Sequence, residues 1–337
     1  MSHFNALIQH AARHSIPLDV ALEITHHCNY RCQHCYIPDF SAPNAMSTER
    51  IMVLLEELRA MGTLFLTLTG GEMFLRKDWF DIARRARSLG FALRLFTNAS
   101  RITSQIAHQV SQLGSIVEIT VFSMNEAVFD EITQRKGSFR ATMAGIAELH
   151  KQEVQMLIKT PLMTLNNKHD ESVREYALGL GAAFQSFTSI AAKKDGDRST
   201  LALRLDATSM QHYLNGPFSG CHVARSIQED EPLCAAASRF CNITAAGDVM
   251  ACNILPGSGG NLLNQSFQQI WQHSPWLNEV RSIRRRDLDT CNTCDRLAYC
   301  GRCHAQALVE DGNMYGPSTA AQSRADLLDQ MGVSFAV

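Results

Sequence analysis

The first half of the chain alternates short apolar runs with longer stretches of helical periodicity. Six β-rich runs lie between residues 18 and 190: VALEIT, TLFLTLTG, FALRLFTN, SIVEITVFS, VQMLIKTPLM and AAFQSFTSI. After the first run, STERIMVLLEELRAMG has apolar residues at the i, i+3, i+4, i+7 spacing of an amphipathic helix: Ile51, Leu54, Leu55 and Leu58. Ser47 can cap this helix at its start, and Gly62 can end it.

Six units of strand followed by helix predict an α/β fold. The sheet should be parallel with right-handed crossovers, either open or partly closed into a barrel. Ligands bind at the carboxyl ends of the strands in sheets of this kind. The residues directly after each apolar run are therefore the candidates for function.

The alternation ends at AAKKDGDRST, residues 191–200, a polar link that contains glycine. The rest of the chain is loop-rich. We expect a barrel at 18–190, a linker at 191–215 and a small second domain at 216–337. A small domain with little apolar core is commonly held together by metal. The part after the link contains eight of the eleven cysteines: Cys221, Cys234, Cys241, Cys252, Cys291, Cys294, Cys300 and Cys303.

Composition places the chain among soluble globular proteins, with 45% hydrophobic and 19% charged residues. The net charge of -2 gives no electrostatic reason to expect nucleic acid, and the run RSIRRRD at 281–287 is interpreted as a solvated helix face. No signal-peptide h-region and no apolar stretch of about 20 residues is visible. The sequence predicts a cytoplasmic protein with no membrane partner, in which cysteines serve as metal ligands.

CNYRCQHCY, residues 28–36, places Cys28, Cys32 and Cys35 directly after the first run. Thiolates suit zinc or an iron–sulfur cluster. Three histidines could complete a Cys3His zinc site: His26, His27 and His34. Structural zinc sites, however, usually place their ligands as two pairs. A [4Fe–4S] cube on three cysteines leaves one iron free to bind a small molecule.

This C-x3-C-x2-C triplet after a first strand resembles the signature of the radical S-adenosylmethionine (SAM) enzymes. The resemblance implies a partial (β/α)6 TIM-like barrel in which SAM chelates the open iron through its amino and carboxylate groups. An electron from the cluster then splits the sulfonium to a 5′-deoxyadenosyl radical, which abstracts hydrogen from a substrate. The cofactor supplies the hard chemistry, and a flavodoxin- or ferredoxin-like reductant is implied.

Later segments resemble the family's SAM contacts. TGGEM ends the second run, where Gly70 and Gly71 allow close backbone approach and Glu72 corresponds to the residue near the SAM amino group. LFTNAS ends the third run and resembles a Thr-Asn-Gly segment. In it, Asn98 can offer a donor and an acceptor to ribose or carboxylate, and Ala99 replaces glycine.

The resemblance assigns three further SAM contacts. Thr120, in EITVFS, aligns with a serine that faces SAM. Asn166, in KTPLMTLNN, matches an asparagine near the adenosine. His34 lies where the family usually has an aromatic residue at the adenine, and its imidazole could stack there.

Two cysteine patterns lie near the end of the chain. CNTCDRLAYCGRC gives C-x2-C-x5-C-x2-C at 291–303, whereas zinc ribbons usually separate their pairs by a longer loop. Upstream, C-x12-G-x4-C joins Cys234, Gly247 and Cys252, with Cys241 inside. With GNLLNQSFQQIWQHSP between them, these patterns resemble the SPASM domain, an extension of radical SAM enzymes that carries one or two auxiliary [4Fe–4S] clusters.

The family pattern implies ligands for both auxiliary clusters. The first would be held by Cys234, Cys241, Cys252 and Cys303. The second would take three ligands from Cys291, Cys294 and Cys300. A last family cysteine normally follows in GP-x4-C, but Gln322 stands there and no cysteine follows Cys303. The second cluster therefore has an open iron, takes Cys221 or another ligand, or is absent.

The resemblance favours a peptide maturase, which would crosslink, oxidise or epimerise a side chain of a ribosomally made peptide. The alternatives are an enzyme for a small molecule or tetrapyrrole, such as a decarboxylase in an alternative haem pathway, and a non-catalytic metal-binding module. About 17 residues precede the first run, so a maturase implies a separate small peptide-recognition protein. No catalytic acid or base is assigned, because four possible residues are interpreted as structural: Tyr30, Tyr36, Cys221 and His304.

Overall fold

A computed structural model describes residues 3–42, 45–216, 233–296 and 299–331. The six predicted runs form six strands: β1 Asp19–Thr25, β2 Phe65–Gly70, β3 Ala92–Thr97, β4 Ile116–Thr120, β5 Met156–Pro161 and β6 Ala183–Phe187. Each strand pairs in parallel with the next along the chain. This order confirms the predicted parallel α/β sheet and brings all six carboxyl ends to one edge.

Seven helices accompany these strands: α1 His3–Arg13, α2 Thr48–Ala60, α3 Trp79–Ser88, α4 Ser104–Ser111, α5 Glu126–Thr133, α6 Ser138–Lys151 and α7 Asp170–Gly179. As predicted, the Ser47 side chain accepts a hydrogen bond from Arg50 N at 3.2 Å and caps α2, and Gly62 follows that helix with a φ of 92°. Helix α1 was not predicted. In the part of the chain that the structure describes, no helix has the length and apolar composition needed to span a bilayer.

The two faces of the sheet differ in polarity, because successive side chains on a strand point to opposite faces. One face is apolar and fully buried, with members such as Val20, Leu22, Leu95 and Ile119. The opposite face carries charged pairs. Arg94 contacts Asp19 at 2.6 Å, and Lys159 contacts Glu118 across neighbouring strands. The apolar core thus lies between the sheet and the helices, and the charged pairs lie on the opposite face of the sheet.

The C-terminal part extends the same sheet, which the prediction of a loop-rich domain did not include. Strand β7 Phe240–Ile243 pairs in parallel with β1, and β8 Asp248–Met250 and β9 Ser258–Asn261 follow antiparallel. The described residues of this part also form five α-helices: α8 Ala207–Asn215, α9 Phe267–His273, α10 Pro275–Ser282, α11 His304–Asp311 and α12 Thr319–Gln330. Apolar residues here, including Ile243 and Trp271, join the core of the barrel.

Candidate active site

The loop after β1 carries the first three cysteines and is held in place by its own backbone. The N–H groups of Arg31 and Gln33 donate to the last carbonyls of α5, at 3.0 and 2.9 Å. Tyr30 is buried, and its hydroxyl donates to Ser138 O at 3.0 Å. Tyr30 is therefore a structural anchor, and the loop enters the site with a fixed path.

The three thiols share one half-buried environment. Cys28 Sγ accepts from Tyr30 N at 3.4 Å. Burial raises the pKa of Cys28 to about 11 and raises the pKa values of Cys32 and Cys35 above the usual range. Without metal these groups are neutral, and metal binding releases their protons.

In the described residues the three thiols are not arranged as a site for a single metal ion. Among the described residues, no three His, Cys, Asp or Glu side chains converge closely enough for one metal ion. A tetrahedral zinc site requires such convergence, because each Zn–S bond is about 2.3 Å. In a cube each cysteine binds a different iron, so its sulfurs lie farther apart. Of the histidines proposed for zinc, His27 places Nδ1 3.0 Å from Phe40 O.

Only glycine fits at positions 70 and 71, because backbone carbonyls of the chain itself lie too close for a Cβ. A Cβ on Gly70 would lie 2.1 Å from Thr25 O, and one on Gly71 would lie 2.2 Å from His27 O. Gly71 N and Glu72 N donate to these same carbonyls at 2.9 and 2.7 Å. The predicted close approach is therefore to the loop after β1, and the two glycines hold the cysteine loop against the end of β2.

Glu72 has a different set of partners from the one that the resemblance implied. Its side chain is fully buried, and its two oxygens accept from Thr97 Oγ1, Asn98 N and Phe74 N at 2.8 to 3.2 Å. Burial raises the pKa of this carboxyl group. Because its acceptors are engaged inside the protein, Glu72 joins the ends of β2 and β3, and contact with a SAM amine remains a proposal.

Asn98 lies directly beside the cysteine loop. Its Nδ2 donates to Asn29 Oδ1 at 3.0 Å and lies 4.0 Å from Cys28 Sγ, while its Oδ1 accepts from Ser100. The next residue, Ala99, has a φ of 60°, a left-handed conformation that glycine adopts more easily. This conformation explains why the resembling family segment has glycine there.

Thr120 and Asn166 lie in different surroundings. Thr120 ends β4, is half-buried and faces the same side as the charged pairs. Asn166 is fully buried, and its amide bonds Met163 N, Phe122 O and Pro161 O at 2.8 to 3.1 Å. In this conformation Asn166 has no surface for the adenosine contact that we expected, because it joins the segments after β4 and β5.

His34 lies in the cysteine loop and carries a buried ring nitrogen. Its Nδ1 is buried and has no hydrogen-bond partner among the residues that the structure describes, and its ring packs edge-on against Phe122 with centroids 5.2 Å apart. Burial lowers the pKa of His34 to about 4. A neutral imidazole and a phenyl ring beside a thiol triplet fit an aromatic nucleotide, which could supply the missing hydrogen bond.

A buried ion pair beside the triplet was missed by sequence reasoning. Lys194, in the segment read as a linker, places Nζ 2.5 Å from Glu23 Oε1 and 5.1 Å from the ring centroid of Tyr36. The Glu23 carboxylate, 1% exposed, also accepts from Asn242 Nδ2 at 3.0 Å. The link therefore closes over the carboxyl end of β1. The polar glutamate within VALEIT was the one signal that could have indicated this.

The structure brings Cys234, Cys252 and Cys303 together but does not place Cys241 with them. Cys234 and Cys252 both lie within electrostatic range of Cys303, and backbone N–H groups donate to Cys234 Sγ at 3.1 Å and Cys252 Sγ at 3.3 Å. Such hydrogen bonds are common at cluster ligands. Cys241 instead lies in β7 opposite Val20, fully buried in the apolar core. The ligand role expected of Cys241 is not supported, because its strand faces the core; Cys221 lies outside the described residues.

Cys291, Cys294 and Cys300 line a separate cavity of about 770 Å³, including its mouth. Gln322, at the position of the missing family cysteine, lines the same cavity. His304 is buried near it, and its Nδ1 contacts Arg302 Nη1 at 2.9 Å. The three cysteines thus line one cavity, and their role as ligands of a second auxiliary cluster stays a prediction.

Two family models match the chain. The one described as the radical SAM superfamily matches residues 22–177, and the one described as an iron–sulfur cluster-binding domain matches residues 234–295. The first match covers the thiol triplet, the end of β1 and the four strands β2 to β5. The second covers five cysteines: Cys234, Cys241, Cys252, Cys291 and Cys294.

Full-length similarity extends to two kinds of relative. The chain is 25% identical to the AdoMet-dependent heme synthase of Methanosarcina barkeri, over 88% of this chain and 94% of that protein. It is 24% identical to the mycofactocin maturase MftC of Mycolicibacterium smegmatis, over 89% of this chain and 81% of that protein. The structure of Streptococcus suis SuiB bound to precursor peptide SuiA superposes with a TM-score of 0.73 at 13% identity, over 96% of this chain and 82% of that chain. The last comparison shows a shared fold.

Proposed function

The chain belongs to the radical SAM superfamily and carries a SPASM domain, and from this we propose that it modifies a side chain of a ribosomally synthesised peptide. Its cofactors are a [4Fe–4S] cluster with SAM and one or two auxiliary [4Fe–4S] clusters. When bound, the cluster and SAM supply the chemistry: reductive cleavage of SAM gives a 5′-deoxyadenosyl radical for hydrogen abstraction.

The chain's own residues hold and shield this chemistry. We assign Cys28, Cys32 and Cys35 as the cluster ligands, because the loop that carries them is fixed by backbone hydrogen bonds on both sides. The His34 and Phe122 rings are the proposed adenine contacts. Asn98, at 4.0 Å from Cys28 Sγ, is placed to orient the ribose or carboxylate. Holding SAM in one position in this way would lower the entropic cost of the reaction.

The polar face of the sheet carries the argument for a peptide. Asp19 with Arg94, Glu118 with Lys159, and Glu23 with Lys194 place three ion pairs on or beside this face. A tetrapyrrole has a large apolar ring that is best held by apolar and aromatic side chains, and needs cations only at its carboxylates. A peptide backbone instead needs donors and acceptors along its length, which this face offers.

Partners and location follow from the same proposal. A small peptide-recognition protein would deliver the substrate, and a flavodoxin- or ferredoxin-like protein would supply electrons. We place the enzyme in the cytoplasm, because reducing conditions keep free thiols available for clusters. Relatives named as maturases of peptides, including mycofactocin maturase and the PqqA peptide cyclase, support a peptide substrate.

A second candidate is a tetrapyrrole enzyme of haem synthesis. Three proteins named AdoMet-dependent heme synthase match this chain at 23 to 25% identity and over 84 to 94% of their own lengths. This candidate predicts hydrogen abstraction from a carboxylate-bearing side chain of a haem precursor, with no recognition protein.

Deuterium transfer distinguishes the two substrates. The anaerobically reconstituted protein is reduced with SAM and offered either a deuterated precursor peptide encoded near the gene or an iron-porphyrin haem precursor deuterated on its carboxylate side chains. Mass spectrometry of the released 5′-deoxyadenosine reports the source of hydrogen. We expect deuterium from the peptide. Deuterium from the porphyrin alone would overturn the peptide proposal, and a protein that holds zinc without iron would overturn both.

A further inference from the structure

The surface around the first cysteine loop carries positive charge that no carboxylate pairs. We call it the loop patch, and it consists of four exposed cations: Arg31, Arg101, Arg135 and Lys136. In the part of the chain that the structure describes, none of the four takes part in an ion pair. The whole chain has a net charge of -2, so the loop patch contrasts with a slightly acidic background.

Hydrogen bonds connect the loop patch to the backbone of the cysteine loop. Arg31 Nη1 donates to Cys28 O at 2.7 Å and to Tyr30 O at 2.8 Å. Arg135 Nη1 donates to Asn29 O at 2.7 Å. Two exposed guanidinium groups are therefore bound to the carbonyls of a thiol-bearing residue and its two neighbours.

Arg101 and Lys136 extend the loop patch without supporting the fold. Asn29 Nδ2 donates to Ser100 Oγ at 2.8 Å, and Arg101 directly follows this serine. Lys136 directly follows Arg135. Among the described residues, the side chains of Arg101 and Lys136 make no hydrogen bond, so both charges are available to a partner.

Two carboxylates precede the loop patch in α5 but do not neutralise it. Asp130 accepts hydrogen bonds from Gly137 N and Phe139 N, at 2.5 and 2.9 Å. Glu131 is exposed and forms no ion pair within the described ranges. The four cations therefore leave this surface positive.

Cations on the helices of the barrel are paired instead. Arg84 contacts Asp81 at 3.2 Å on α3, and Lys151 contacts Glu148 at 2.6 Å on α6. Like charges grouped without such partners repel one another and lower stability. The same grouping speeds the encounter with a partner of opposite charge. The loop patch thus has the properties of a docking surface for an acidic molecule.

We propose that the loop patch docks an acidic protein that carries one electron at a time, and that electrons enter the enzyme at this surface. The docked donor loses one electron, and the cluster assigned to Cys28, Cys32 and Cys35 gains it. Electron-transfer complexes are small and transient, so a few charges can provide much of their recognition. The inference rests on the proposed function only in requiring an electron donor, and it holds for a peptide or a porphyrin substrate.

The position of the loop patch favours an electron donor over an acidic precursor peptide. Electron transfer requires close approach to the cluster, and the loop patch lies on the carbonyls of Cys28, Asn29 and Tyr30. A peptide needs binding groups along its length, which the charged face of the sheet carries.

The test compares a protein reductant with a small one. Arg101→Glu/Lys136→Glu reverses two charges of the loop patch, and Arg84→Glu/Lys151→Glu makes the same change in net charge on α3 and α6. Each reconstituted protein receives SAM and either an acidic flavodoxin in its hydroquinone form or dithionite. Chromatography measures 5′-deoxyadenosine release against flavodoxin concentration at about 20 mM and about 200 mM KCl. Iron content and urea unfolding verify that both variants fold and hold their clusters.

We expect Arg101→Glu/Lys136→Glu to raise the flavodoxin concentration for half-maximal release by about tenfold at low salt, and by less at high salt. Release with dithionite should stay within about twofold of wild type, because a small anion needs no docking surface. Arg84→Glu/Lys151→Glu should match wild type with both reductants.

An equal flavodoxin requirement in Arg101→Glu/Lys136→Glu and wild type would overturn the proposal. Loss of deuterium transfer from the precursor peptide under dithionite, with the flavodoxin requirement unchanged, would also overturn it and would assign the loop patch to the peptide. Release of 5′-deoxyadenosine is measured with SAM alone, so a failure of the peptide proposal would leave this result unaffected.

Discussion

The two triplets of cysteines sit in very different frameworks. Cys28, Cys32 and Cys35 occupy a loop that leaves a central parallel strand and is held by the backbone of α5 and by Gly70–Gly71. Cys291, Cys294 and Cys300 lie on a short turn and irregular segments around an open cavity, where Arg302 supplies many of the contacts.

The difference indicates a division of tasks. A site that must orient SAM for hydrogen abstraction needs a geometry fixed before the cofactors bind. A site that only holds a cluster can obtain part of its order from the cluster itself, because metal binding and folding are coupled. We therefore expect substitutions in the first region to lower activity and stability more than substitutions in the second region do.

The largest contrast concerns catalysis. Cys28→Ala should lower the rate of 5′-deoxyadenosine release by more than about 100-fold. Mutation of a residue that only hydrogen-bonds a metal ligand already lowers metal affinity or activity by about 10- to 100-fold. Cys294→Ala, in the second triplet, should retain release within about tenfold when dithionite supplies electrons. Chromatography of anaerobic reactions measures both. Equal losses in the two variants would contradict the assignment of the SAM site to the first triplet.

The next contrast concerns ion pairs. Lys194→Met leaves the buried carboxylate of Glu23 without its cation and should lower the free energy of unfolding by about 3 to 5 kcal/mol. Arg296→Met, which breaks exposed pairs with Asp326 and Asp329, should give no measurable change. Urea unfolding of the reconstituted proteins measures both. The double variant Lys194→Met/Glu23→Gln should regain part of the loss; no loss in Lys194→Met would mean that Glu23 does not need this partner.

Two glycines provide a third contrast. Gly71→Ala would place a Cβ 2.2 Å from His27 O and should cost about 3 kcal/mol while reducing iron at the first triplet. Gly301→Ala has no atom within 4 Å of its Cβ and should stay within about 0.5 kcal/mol of wild type. Urea unfolding and iron analysis measure the difference. If both variants matched wild type, the crowding at Gly71 would not determine the position of the loop.

The smallest effect concerns the potential of the second auxiliary cluster. Arg302→Met removes a cation that the carbonyls of Met314 and Gly316 hold near Cys291, and should lower the midpoint potential by about 60 mV, the one-electron equivalent of a tenfold change. Arg302→Lys should retain most of the potential. Redox titration followed by electron paramagnetic resonance (EPR) measures it. An equal shift at the SAM cluster would show that the effect is not local.

The barrel and the first triplet could be predicted because their signals are local. Six apolar runs fix the strands, Ser47 and Gly62 bound a helix, and the position of Cys28 after β1 places the triplet at the carboxyl edge. Strands β7, β8 and β9 have only three or four residues, too few for periodicity to reveal, so their addition to the barrel sheet was missed.

Side-chain roles could be predicted less well because they depend on contacts distant in sequence. Asn166 and Glu72 stand at the expected strand ends, yet their hydrogen bonds are satisfied within the protein. Cys241 follows a cysteine spacing but lies on the core face of its strand. Lys194 lies 171 residues from Glu23, and no local pattern connects them.

The central claim is that Cys28, Cys32 and Cys35 hold a cluster with one iron left for SAM. Electron-nuclear double resonance of the reduced, anaerobically reconstituted protein with SAM carrying 15N at its amino group tests this directly. We predict a 15N coupling in the wild type that is absent in Cys28→Ala and unchanged in Gln322→Cys. A spectrum that shows no coupling and does not respond to SAM would contradict the account.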